Sequence, residues 1–266
     1  MRLEGKTVLI TGGRRVGSDL AVRLASRGAN IAMTYLTSRG AIEATVARVR
    51  EVVAEGDEQS ARTSDAMAIK ADLSDPNEAN EAVRAVRDHF GSLDVLVNMA
   101  SVYRRTPWEQ LEPDDLNAMI AANLAAPYHT AIASAKWMLK QPGENGVKGK
   151  IVNFGDWATD RPYRDYLPYL VSKGALKTMT LALAKELAPH VHVNMIQPAM
   201  IDPPPDLTEQ EKEAVVAVTP LRRIGSARDV NELILYMIEG TDFMTGMCVR
   251  VDGGRFLGGE TGMDLD

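Results

Sequence analysis

Seven short runs along the chain are apolar almost without interruption, and between them lie longer stretches in which apolar residues recur at helical spacing. The runs are Lys6–Thr11, Ala29–Thr34, Ala66–Ala71, Leu93–Asn98, Lys150–Phe154, Val191–Ile196 and Met247–Val251. A strand covered on both faces loses the polar alternation of a half-exposed one, so these read as strands of a parallel sheet. The helical stretches are Val16–Arg27, Ala41–Ala54, Asn77–Phe90, Asp114–Leu139, Tyr166–Ala188 and Ala227–Ile238, with a shorter one at Glu209–Val218. The alternation predicts an α/β fold: one doubly wound sheet of about seven parallel strands, helices on both faces, and right-handed crossovers. Asp75-Pro76 supplies a cap and first turn, Glu112-Pro113-Asp114 places negative charge at a helix start, and Pro127 is expected to kink the long helix. Gly56–Asp65 and Ile201–Asp206, the latter with three prolines, read as surface loops. Residues 1–266 therefore form a single domain, with a loop and helix near 199–218 placed to cover a substrate.

Composition narrows the class of partner. A hydrophobic share of 45% supports a two-sided core, and a net charge of -6 offers no basic field to nucleic acid. No run approaches the length of a membrane span. The lone Cys248 has no internal disulfide partner, and Val8–Ile10 is too short for the apolar region of a signal peptide, so a reducing, cytoplasmic setting is expected. The histidines, His89, His129, His190 and His192, lack metal-ligand spacing, and no metal is expected.

Candidate chemistry begins where the first strand ends. Thr11-Gly12-Gly13-Arg14-Arg15-Val16-Gly17 runs straight into a helix, so a glycine turn lets the backbone approach a pyrophosphate at a helix N-terminus. After the second strand, where an NAD site places a carboxylate on the ribose, the chain reads Thr34-Tyr35-Leu36-Thr37-Ser38-Arg39. The missing acid favours NADPH, with Arg15, Ser38 and Arg39 around a 2′-phosphate. Asp72-Leu73 and Asn98-Met99-Ala100 end later strands, where adenine and ribose contacts are expected.

Tyr169 and Lys173 stand four residues apart on a predicted helix and share a face. A nearby ammonium favours phenolate, lowering the tyrosine pKa and readying it as a proton donor during hydride transfer. From Lys6 to Gly254 the order Thr11-Gly12…Gly17, Asp72, Asn98-x-Ala100, Asn123, Tyr169-x-x-x-Lys173 and Val251-Asp252-Gly253-Gly254 resembles the short-chain dehydrogenase/reductase family. The resemblance implies a Rossmann-type oxidoreductase in which Tyr169 is the acid. It also implies that Lys173 binds the nicotinamide ribose and tunes Tyr169, that Asn123 holds a relay water, and that Pro198 lies on the nicotinamide side. A homotetramer built on the long helices is implied as well.

Thirteen residues before the tyrosine, where that family usually has a serine, stands Asp156. A carboxylate there repels a developing alkoxide unless it is protonated, whereas it accepts the N–H edge of a nitrogen heterocycle. This arrangement, with Asn98–Tyr103 and Asn123–Tyr128, resembles the pteridine reductase branch, which implies a pterin-like C=N substrate, contacts from Ser101 and stacking by Tyr103. The alternatives are a generic NADP(H)-dependent carbonyl reductase and a non-catalytic NADP-binding sensor. The phosphate turn is one residue shorter than usual, which leaves the register of Arg14 against Arg15 open, and Met99 and Ala199 also depart from the common pattern.

Overall fold

The computed structural model describes residues 1–55, 64–203 and 207–258. Strands β1 (Thr7–Thr11), β2 (Asn30–Tyr35), β3 (Ala66–Lys70), β4 (Val95–Asn98), β5 (Gly149–Phe154), β6 (Val191–Pro198) and β7 (Cys248–Val251) pair in parallel in the order β3-β2-β1-β4-β5-β6-β7. Helices α1 (Val16–Ala25), α2 (Arg39–Glu55), α3 (Pro76–Phe90), α4 (Pro113–Ile120), α5 (Ala126–Met138), α6 (Leu167–Leu187), α7 (Glu209–Ala217) and α8 (Ala227–Leu235) lie between the strands.

Alternate residues of each central strand feed opposite layers, which is why the strands read as unbroken apolar runs. Val8 and Ile10 pack with Leu20 and Leu24 of α1, Ile42 of α2 and Ile234 of α8. Leu9 packs on the other side with Val83 and Val86 of α3, Met138 of α5 and Leu183 of α6. At β1 the winding reverses, since this strand pairs with both β2 and β4, and a crevice opens beyond the carboxyl ends of the strands.

Local chemistry sets the helix ends. The Asp75 carboxylate accepts the N–H groups of Asn77 (2.7 Å) and Glu78 (3.2 Å), Pro76 fills the first position, and Gly91 ends α3 at φ 82°. The stretch expected as one helix over Asp114–Leu139 is α4 and α5 joined by a π-type turn at Ala121–Ala125. The distortion falls in the turn just before Pro127, whose ring offers no N–H to the carbonyls of that turn. Of the two surface loops expected from the sequence, residues 56–63 and 204–206 lie outside the described residues. Among the described residues no helix is long and apolar enough to cross a membrane.

Candidate active site

The glycine turn after β1 admits no side chain. At Gly12 (φ 63°) an added Cβ lies 3.0 Å from the Ala100 Cα, and at Gly13 (φ 82°) it lies 2.9 Å from the Gly17 Cα. Gly17 is buried, and a Cβ there meets the Met99 Sδ at 3.1 Å. The Thr11 hydroxyl accepts the N–H groups of Met99 (3.1 Å) and Ala100 (3.2 Å), locking the ends of β1 and β4 together. Arg15, at the start of α1, provides no side-chain cap, so the first-turn N–H groups face the crevice without a protein acceptor of that kind. Above them opens a cleft of about 600 Å³, lined by Gly12, Arg15, Ser38, Asp72, Leu73 and Ala100.

Other expected cofactor residues take different places. Arg39 begins α2 outside the cleft lining, and its guanidinium pairs with Glu43 at 2.7 Å. Arg15 spans from the turn to the carbonyl of Asp202, while Arg14 also lines the cleft. Asn98 is buried: its amide donates to Asn153 (2.9 Å) and its oxygen accepts from Thr130 (2.8 Å), in a chain that Asn153 extends to Thr180 (2.9 Å). This chain ties β4 and β5 to α5 and α6 beneath the site. Pro198 is the buried last residue of β6, opposite Val251 of β7.

Tyr169 and Lys173 sit one turn apart on α6, whose start brings them beneath the end of β5. The Tyr169 hydroxyl donates to Asp156 at 2.8 Å, and the other Asp156 oxygen accepts the Ala158 N–H at 2.8 Å. Lys173 is buried, donates to the Phe154 carbonyl at 2.7 Å and lies 5.9 Å from the centre of the Tyr169 ring. Burial pushes the Lys173 ammonium down to about 8, against the pull of Asp156. Burial also raises the Asp156 carboxyl, although Ala158, Tyr169, Lys173 and Arg255 favour its charge. Tyr169 is pushed well above its ordinary value by burial and by the Asp156 charge. The ammonium was expected to lower that tyrosine; burial, and then the Asp156 carboxylate, raise it instead.

Asn123 lies in the π-type turn and is fully buried. Its oxygen accepts from the Ser101 hydroxyl (3.0 Å) and the Val102 N–H (2.8 Å), and its amide donates to the Val102 carbonyl (2.9 Å) and Ser172 (3.1 Å). Ser101, expected to meet a substrate, is thus tied to Asn123 while still lining the cleft. Tyr103, expected to stack on a substrate ring, stacks on Tyr166 (4.6 Å between centres, 17° between planes) and meets Tyr169 edge-on at 4.9 Å.

Tyr163 and Tyr166, absent from the sequence motifs, complete this wall, and Arg255 approaches Trp157 beside it. Tyr163 packs edge-on against Tyr166 at 5.0 Å and donates to the Tyr103 hydroxyl at 3.4 Å. Arg255, from the segment after β7, lies over the Trp157 ring at 4.9 Å. The three-residue spacing of Tyr163, Tyr166 and Tyr169 was available as a signal. Nothing local marks Arg255, which arrives from the far end of the chain.

Comparison with known proteins matches the chain along almost its whole length. A family profile described as enoyl-(acyl carrier protein) reductase matches residues 13–255. The chain is 31% identical over 262 residues to a 3-oxoacyl-[acyl-carrier-protein] reductase of Synechocystis, covering 96% of this chain and 98% of that protein. A short-chain dehydrogenase/reductase from Serratia marcescens superposes with a TM-score of 0.83 at 31% identity, over 96% of this chain and 99% of that one. A short-chain dehydrogenase from Burkholderia cenocepacia, in complex with NADP, superposes with a TM-score of 0.83 at 32% identity, over 96% of this chain and 100% of that one.

Proposed function

Because the chain belongs to the short-chain dehydrogenase/reductase family of oxidoreductases, we propose that it reduces the carbonyl group of a small, keto-acyl type of substrate with NADPH. The observation that carries the reading is the 2.8 Å hydrogen bond from Tyr169 to Asp156, two groups whose proton affinities burial raises, with the Lys173 ammonium behind them. The NADP complex of the Burkholderia relative and the keto-acyl substrate in the name of the Synechocystis relative support the same reading.

The residues present fit a dinucleotide. A turn that only glycines can make and the uncapped start of α1 suit the pyrophosphate. Asp72 and Leu73 line the cleft where the adenosine would lie, and Ser38, with Arg14 or Arg15, suits a 2′-phosphate. When bound, NADPH supplies the hydride. Lys173 holds the nicotinamide ribose and stabilises the tyrosinate as its proton leaves. Tyr169 gives its proton to the reduced oxygen, the arriving carbonyl taking over the O–H that Asp156 accepts without substrate. An ionised Asp156 opposes an alkoxide, and burial, which raises its proton affinity, eases that opposition. The Asn123 side chain is used by protein partners, which leaves its backbone to hold a relay water. Residues 199–203 and α7 are the described parts of the segment that would cover the substrate.

Reduction of a pterin-like C=N bond is the second reading. It rests on Asp156 itself, a carboxylate suited to an N–H edge. Steady-state assays with NADPH, a small β-keto ester and a dihydropterin separate the two. The ester is expected to be the better substrate, and Tyr169→Phe to lower kcat about 10²–10⁴-fold with NADPH affinity kept. Preference for the dihydropterin, lost in Asp156→Ser, would move the assignment to the second reading.

A further inference from the structure

Arg255 is a half-buried cation that the mechanism above does not use. The chain that carries it is held firmly. The Asp252 carboxylate accepts the N–H groups of Gly254 (2.9 Å) and Phe256 (2.8 Å), and Arg161 binds the carbonyls of Arg255 (3.2 Å), Phe256 (3.0 Å) and Gly258. The backbone is fixed, and the side chain lies across Trp157, the residue next to Asp156.

The other cations of that neighbourhood are engaged. Arg255 lines a cavity of about 290 Å³ together with Arg223 and Arg250. Arg223 forms a two-pronged pair with Asp229, 2.7 Å on each prong, and Arg250 reaches Asp160 at 3.3 Å. Arg255 makes no side-chain hydrogen bond or ion pair with the described residues. Around it stand Tyr163, Asp156, Tyr103 and Asp252, all close enough for their charge states to act on it, and the Asp252 oxygens are already taken by the Gly254 and Phe256 N–H groups. A planar guanidinium with apolar support on one face, beside the proton donor's partner, offers a forked donor set to a planar oxyanion.

We infer that Arg255 is a specificity-determining residue that binds a carboxylate carried by the substrate, so that the preferred substrates are oxo acids rather than their neutral esters. The inference rests on the carbonyl reading and narrows it. Trp157 holds the guanidinium in place before the ligand arrives, which reduces the ordering cost of binding. A small carboxylate held there is kept off Asp156, with its oxo group left free to reach Tyr169.

The test pairs acetoacetate and levulinate with their methyl esters, two spacings of carbonyl from carboxylate. Affinity for the NADP⁺-loaded protein is measured by calorimetry, which needs no turnover. Wild type is expected to bind at least one acid about tenfold or more tightly than its ester. R255M, which keeps an apolar contact with Trp157, is expected to lose that margin with ester affinity unchanged, and R255K to restore part of it. Equal affinity of wild type for acid and ester overturns the inference and needs no variant. So does R255M with the acid margin intact, or with acid and ester weakened alike, the mark of a merely structural role. Turnover of the esters with NADPH is scored separately: its absence removes the carbonyl reading, whereas turnover without an acid margin removes only the role of Arg255.

Discussion

At Asp156, burial works against the charge while the Ala158 N–H, the Tyr169 hydroxyl, Lys173 and Arg255 work for it, and burial is the larger effect. The folded protein therefore holds the proton more tightly than the unfolded chain does. Stability from this group is fully present below the ordinary carboxylate range and is lost as pH rises through the raised folded value. Asp156→Asn cannot ionise and is expected to escape that loss. Its melting temperature should rise relative to wild type between about pH 4 and neutrality, by about 2–4 °C per kcal/mol, and the gap should close on acidification. Thermal melts across that range check the sign; a gap that widens in acid contradicts the assignment. Asp156 was legible as a departure in a known pattern, and the structure adds its hydrogen bond to Tyr169. The proton affinity of Tyr169 was not legible, because it depends on what surrounds the ring rather than on the i, i+4 lysine.

The turn from β2 into α2 shows how an element can be legible while its contacts are not. The absence of an acid after β2 is a property of the sequence, and Tyr35 through Ser38 do line the cleft. Arg39, next in line, is drawn instead to Glu43, one turn along its own helix. Cofactor selection is therefore expected to depend on Ser38 ahead of Arg39. Ser38→Asp should place a carboxylate against the 2′-phosphate and shift the NADPH-to-NADH ratio of kcat/KM by about tenfold or more towards NADH, while Arg39→Ala should move it less. Parallel assays with both cofactors decide between them. The π-type turn at Ala121–Ala125 was hidden for a related reason. Helical periodicity continues through it, and only the buried bonds of Asn123 to Val102 and Ser172 show what it positions.

Across the whole molecule one buried lysine ties the central sheet to the segment after α8. Lys150, buried in β5, donates to the carbonyls of Met237 (3.2 Å), Ile238 (2.7 Å) and Thr241 (2.7 Å) and lies 2.7 Å from Asp242, which also pairs with the N-terminal amine of Met1 at 3.2 Å. Lys150→Met should lower the unfolding free energy by about 3 kcal/mol, since it leaves carbonyls and a carboxylate without their cation. It should leave kcat/KM unchanged, because β5 carries Lys150 at its amino end and the active site at the other. Denaturant titration with a parallel activity assay checks both halves. The seven strands, their helices and the glycine turn were set by local pattern, because apolar periodicity and positive-φ glycines act over a few residues. The Tyr169–Lys173 pair was legible for the same reason, both members lying on one helix. What only the tertiary structure decided are the long-range partnerships: Asn98 with Asn153, Lys150 with the segment after α8, and Arg255 over Trp157. Groups 55 or more residues apart are brought together only when the sheet forms, and no local spacing records which of them will face each other.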